Sequence, residues 1–147
     1  MTRPAVYLET SVVGYATSRP SRDLVVAGHQ QVTRDWFALR AGGYELFVSL
    51  LVVSEASGGD EEAVRERAAF LQGIPRLGIT DAAGELAAKL VEAGAVPRKA
   101  AEDALHIAVA AVHGVDYLLT WNCRHIANAA MRQAIEDVAE RPATSRP

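Results

Sequence analysis

Apolar residues recur along the chain in two alternating rhythms. Short β-branched or aromatic runs at 5–8, 44–49, 75–79 and 116–121 are bounded by Pro, Gly or polar residues and predict buried strands. Between them the apolar positions take helical spacing over 23–40, 60–71, 81–93 and 99–113, and a last helix is predicted at 127–140. Leu24, Val25, Val32, Trp36, Phe37 and Leu39 mark the first of these helices. Ala101, Ala104, Leu105, Ala108, Ala111 and Val112 are expected to share one face of the helix at 99–113. A short helix over 50–56 is expected directly after the second strand.

Punctuation agrees with this division. Asp60-Glu61-Glu62 and Thr80 suit helix N-termini, while Gly94 and Gly114 suit helix ends. Strands alternating with helices imply right-handed crossovers and an α/β fold. The expected architecture is a central parallel sheet of about four strands with helices on both faces. Residues 1–140 read as one domain, and 141–147 as a disordered C-terminal tail.

Composition narrows the setting. Of the 147 residues 50% are hydrophobic and 22% charged, enough for a core and ordinary for a folded domain. A net charge of -3 leaves no global basic footprint, so contact with a polyanion needs a local basic patch or a bound cation. Cys123 is the only cysteine, which excludes an intrachain disulfide and thiolate-rich metal sites. No signal-type apolar segment or membrane-length run occurs, and a cytoplasmic setting is expected.

The candidate chemistry lies at the ends of the apolar runs. Glu9 follows the first strand, Asn122 follows the fourth, and Glu55 lies in the short helix after the second. Asp103 lies in the first turn of the helix that feeds the fourth strand. In open parallel sheets ligands bind beyond the carboxyl ends of the strands, and all four residues can reach that end. Three carboxylates and one amide form an oxygen-donor set suited to Mg²⁺ or Mn²⁺, and metal-assisted phosphodiester hydrolysis is the matching chemistry.

Each residue also has a plainer reading. Glu9 suits a solvated turn, Asp103 a helix-dipole position, and Asn122 a turn former. Thr10 and Ser11 suit caps of the next helix, or hydroxyls that orient Glu9 or touch a phosphate. His106 suits a packed histidine or a ligand. Arg124 and His125 suit solvated loop residues or phosphate contacts, and Arg98, Lys99, Arg19 and Arg22 suit either ordinary surface charge or a basic rim. Phosphate loops, GxSxG elbows and HExxH zinc motifs are absent from the sequence.

Four motifs resemble those of PIN-domain ribonucleases, the fold of the toxins in VapBC-type toxin–antitoxin pairs. They are Tyr7-Leu8-Glu9-Thr10-Ser11, Val48-Ser49 through Val53-Ser54-Glu55, Asp103-Ala104-Leu105-His106-Ile107-Ala108, and Leu119-Thr120-Trp121-Asn122. The resemblance spans roughly residues 5–138. It implies a three-layer α/β/α domain, RNA cleavage dependent on Mg²⁺ or Mn²⁺, homodimerisation, and inhibition by a cognate antitoxin. By position it makes Glu9, Glu55 and Asp103 the metal ligands and adds Asn122 to the catalytic set. Thr10, Ser11, Arg98 and Arg124 are the candidate substrate contacts. Two exchanges set the chain apart: the first acid, usually Asp, is Glu9, and the fourth, usually Asp, is Asn122. Alternatives are a PIN domain that binds RNA or protein without cutting, and a metal-dependent phosphatase on a similar sheet.

Overall fold

The chain leaves Pro4 directly into β1 (Ala5–Leu8), whose last three residues are buried. The computed structural model describes residues 2–126 and Ile135. Apart from Ile135, the helix expected at 127–140 and the tail at 141–147 lie outside the described residues. After β1 come α1 (Thr10–Thr17), α2 (Leu24–Leu39), β2 (Glu45–Ser49), α3 (Leu50–Ala56) and α4 (Glu61–Leu71). Then follow β3 (Arg76–Leu77), α5 (Asp81–Glu92), α6 (Ala101–Val112) and β4 (Tyr117–Leu119).

The helix starts have local chemical causes. Asp23 accepts from the N–H groups of Val25 and Val26, Ser49 from Val52, Asp60 from Ala63 and Thr80 from Ala83. Each such cap satisfies a donor that the helix leaves open and contributes about 1 kcal/mol. Gly94 and Gly114 follow the ends of α5 and α6 with φ of 74° and 67°, a left-handed conformation open to glycine at little cost.

The described chain forms two compact units: the residues up to Gly78 with Val115–Trp121, and Ile79–Gly114 with the residues from Asn122 on. The first unit holds a four-stranded sheet in the order β3-β2-β1-β4, with every pairing parallel. The α/β parallel-sheet expectation therefore holds. Strand order steps from β1 to β2 to β3 in one direction, then returns to place β4 on the far side of β1. The reversal between β1 and β4 is a topological switch point, the place at the carboxyl ends of the strands where open parallel sheets bind ligands. Val6, Tyr7, Leu8, Val12, Val13, Val48 and Val52 form the centre of this unit, all at most 2% exposed. Each buried Val or Leu contributes about 1.5–3 kcal/mol.

In the second unit α5 packs on α6. The expected single buried face of α6 is not what forms. Ala101, Ala111 and Val112 are exposed, while the consecutive residues His106 to Ala110 are all buried. A helix surrounded at its middle needs small or apolar residues on every side, and the Ala- and Val-rich sequence supplies them. No helix among the described residues is long and apolar enough to cross a membrane.

Candidate functional site

Glu9 stands at the switch point. The register pairs Leu8 with Leu119, and the Glu9 N–H donates to the Leu119 carbonyl at 3.1 Å, one step beyond the ladder. Its backbone is extended, which makes it the N-cap of α1. The residue is only 6% exposed, so the solvated-turn reading of Glu9 does not describe it. Fixed donors replace water around the carboxylate. Oε1 accepts from the hydroxyls of Ser11 at 2.5 Å and Thr120 at 2.6 Å, and Oε2 accepts from the Ser11 N–H at 3.1 Å. Charge-assisted bonds of this kind offset the cost of burying a carboxylate.

Glu55 comes from α3, which Ser49 caps at the end of β2. Its Oε1 accepts from the Thr10 hydroxyl. Thr10 and Ser11 thus each turn a hydroxyl to a carboxylate, Thr10 to Glu55 and Ser11 to Glu9. Beneath them Tyr7 is fully buried, its phenol 2.8 Å from the Ser49 hydroxyl. Burial pushes the Tyr7 pKa up, the Ser49 bond opposes this, and the charges of Glu55 and Glu9 add to the rise. Two consecutive residues at the start of α1, Thr10 and Ser11, thus hold one carboxylate each at the sheet's carboxyl end. The donor chemistry of the two carboxylates is oxygen alone, which fits a hard cation such as Mg²⁺ or Mn²⁺ better than a soft one. Among the described residues, no three His, Cys, Asp or Glu side chains are gathered as a ready metal cluster.

Behind Glu9 lies an aromatic group. Trp121 stacks on His29 with ring centroids 4.2 Å apart and planes at 18°, and Tyr15 meets both rings edge-on. The indole Nε1 donates to Thr33 Oγ1 at 2.7 Å, and the Trp121 N–H donates to Ser11 Oγ at 2.9 Å. An apolar cavity of about 230 Å³ opens beside them, lined by Val12, Val32, Thr33, Trp36, Thr120 and Trp121 among others.

The second unit carries the other candidates. Asp103, in the first turn of α6, has Oδ2 2.9 Å from Nδ1 of His125. Asn122 turns its amide oxygen to the N–H groups of Arg124 at 3.2 Å and His125 at 3.0 Å, the geometry of a turn former. His106 is 1% exposed, a packed histidine. Arg98, Lys99 and Arg124 are exposed, as is Cys123. In the first unit, Arg19 is paired with Glu62 on the surface.

Glu9 and Glu55 are thus brought together within the first unit, and Asp103 meets His125 in the second. Sequence reasoning quoted Tyr7, Ser49, Thr120 and Trp121 within the motifs without giving them a role, and it missed Thr33 and His29. The hydroxyls carry no signal of their own, because what makes Thr120 matter is a pairing with a residue 111 positions away. No protein-family model matches the chain, and no curated protein matches it. The resemblance to PIN domains therefore rests on the four motifs in the sequence.

Proposed function

We propose that the protein is a metal-dependent ribonuclease of the PIN type, in the role of the toxin of a toxin–antitoxin pair. The observation that carries this reading is the pair of hydroxyl-held carboxylates, Glu9 and Glu55, over the buried phenol of Tyr7 at the switch point. Glu9 and Glu55 would hold Mg²⁺ or Mn²⁺; the resemblance of the motifs alone names Asp103 as a further candidate ligand. When bound, the cation supplies an activated water and charge stabilisation for attack on an RNA phosphodiester.

The chain's own groups prepare that chemistry. Ser11 and Thr120 fix the Glu9 carboxylate, and Thr10 fixes that of Glu55, so neither acid reorganises when a cation arrives. Tyr7, kept neutral by burial, adds no further negative charge beneath them. Asn122 organises the turn that carries Arg124 and His125, and Arg124 with Arg98 offers exposed positive charge to phosphate. The apolar residues Leu24, Val25, Val32 and Leu39, exposed along α2, offer a surface for an antitoxin or a second copy. An intracellular location goes with this role.

The test is cleavage of RNA with Mg²⁺ or Mn²⁺ by the wild type and by Asp103→Asn. Loss of cleavage in the variant is expected, and equal cleavage by both rejects the assignment.

One observation favours a second reading, a PIN-like module that binds RNA or protein without cutting. The Glu9 carboxylate already accepts three hydrogen bonds as the cap of α1, a sufficient structural role. Thermal melting separates the two readings. A cation bound only by the folded state raises the midpoint, whereas an unchanged midpoint at millimolar Mn²⁺ selects the binding module.

A further inference from the structure

We infer that Trp121 is a positioning residue for Glu9, acting through the hydroxyls of Ser11 and Thr120; this rests on Glu9 belonging to the proposed site. A serine hydroxyl has one hydrogen to give and lone pairs to receive. Ser11 Oγ receives the Trp121 N–H at 2.9 Å, so its own hydrogen is left for Glu9 Oε1, 2.5 Å away. The preceding residue, Thr120, donates the other hydroxyl bond to the same oxygen at 2.6 Å. Both side-chain donors to Glu9 therefore depend on where the main chain of residues 120–121 lies.

That main chain is fixed by the indole. Nε1 donates to Thr33 Oγ1 at 2.7 Å, and the Thr33 hydrogen goes to the His29 carbonyl at 2.6 Å. Thr33 is itself buried, at 4% exposure, so its acceptor site is held in place. The indole face lies on the His29 ring, with Tyr15 against its edge. His29 Nδ1 is buried and makes no hydrogen bond among the described residues, so the imidazole serves this contact through its face. Along this path the indole N–H donates to Thr33, the Thr33 hydroxyl to the His29 carbonyl, the Trp121 N–H to Ser11, and the Ser11 hydroxyl to Glu9. β4 ends at Leu119, and its continuation through Trp121 couples the packing of α2 to the aim of the carboxylate.

Two variants test this from different ends. Trp121→Phe keeps a ring for the stack and removes the Nε1 donor; Thr33→Val removes the acceptor and leaves Trp121 intact, which guards against a variant that fails to fold. The first readout uses metal-free protein and needs no activity. The Ser11 amide proton, bonded to Glu9 Oε2, reports the carboxylate position by NMR. In both variants its resonance is expected to move toward the position it has in Glu9→Gln. The second readout is Mn²⁺ affinity, expected to fall roughly tenfold in either variant. Ser11→Ala combined with Trp121→Phe is expected to weaken Mn²⁺ binding by less than the sum of the two single effects, since the Ser11 route is shared and only the Thr120 route is left for Trp121 to act on.

A Ser11 resonance unchanged in both variants overturns the inference, as does full additivity in the double variant. A Ser11 resonance that moves in a protein that neither binds Mn²⁺ nor cuts RNA upholds the positioning role and rejects the nuclease reading.

Discussion

Glu9 and Asp103 are both carboxylates assigned to one site by sequence, and the protein holds them in opposite ways. Glu9 is buried and receives three hydrogen bonds from residues at both ends of the first unit's sequence. Asp103, with a side chain 23% exposed, has one described partner, His125. A buried acid with three fixed donors belongs to the folding of its unit as much as to any chemistry. An acid with one histidine partner at a helix start costs the fold little and is free to serve a ligand.

The comparison is sharpest in activity. In the proposed nuclease, Glu55→Gln and Asp103→Asn should each lower RNA cleavage by on the order of 100-fold or more, measured as initial rates with Mn²⁺. Wild-type rates in both variants would remove the site altogether.

Stability is the next effect, and here the two acids should part. Glu9→Ala takes the acceptor from the Ser11 hydroxyl, breaks the Thr120 bond and removes the cap of α1, for a loss of about 3 kcal/mol. Asp103→Ala gives up one partly exposed hydrogen bond, for about 1 kcal/mol or less. Urea midpoints compare the two directly, and equal losses would break the contrast.

The smallest expected effect concerns alkaline pH. Tyr7 has a folded-state pKa raised above the ordinary phenol value of about 10, so the folded state keeps its proton longer than the unfolded chain. Its contribution is therefore complete below about pH 10 and is lost as pH rises through the folded value. Between pH 8 and 11 the wild type should lose urea stability more steeply than Tyr7→Phe. Parallel curves would show that the folded phenol titrates at its ordinary value and is not held protonated by burial.

Much of the fold was legible because its causes are local. Asp23, Asp60 and Thr80 open helices where short polar residues precede apolar periods, and Gly94 and Gly114 stop them. The strands β1, β2 and β4 fall inside the apolar runs that predicted them. Glu9 stood out as an acid set directly after such a run, and Glu55 as a charge in the short apolar helix that follows β2. What surrounds them was not legible, since it depends on strand order. Only once β1 lies between β2 and β4 does Thr120 come level with Glu9, and Tyr7 reach Ser49. The buried middle of α6 was missed for a related reason: a helix enclosed on several sides loses the single-face period that marks a surface helix.

The central claim is that Glu9 and Glu55 hold a divalent cation, and calorimetric titration of metal-free protein with Mn²⁺ tests it most directly. The account predicts a saturable binding event in the wild type that weakens at least tenfold in both Glu9→Gln and Glu55→Gln. No binding by the wild type, or binding unchanged in both variants, would contradict it.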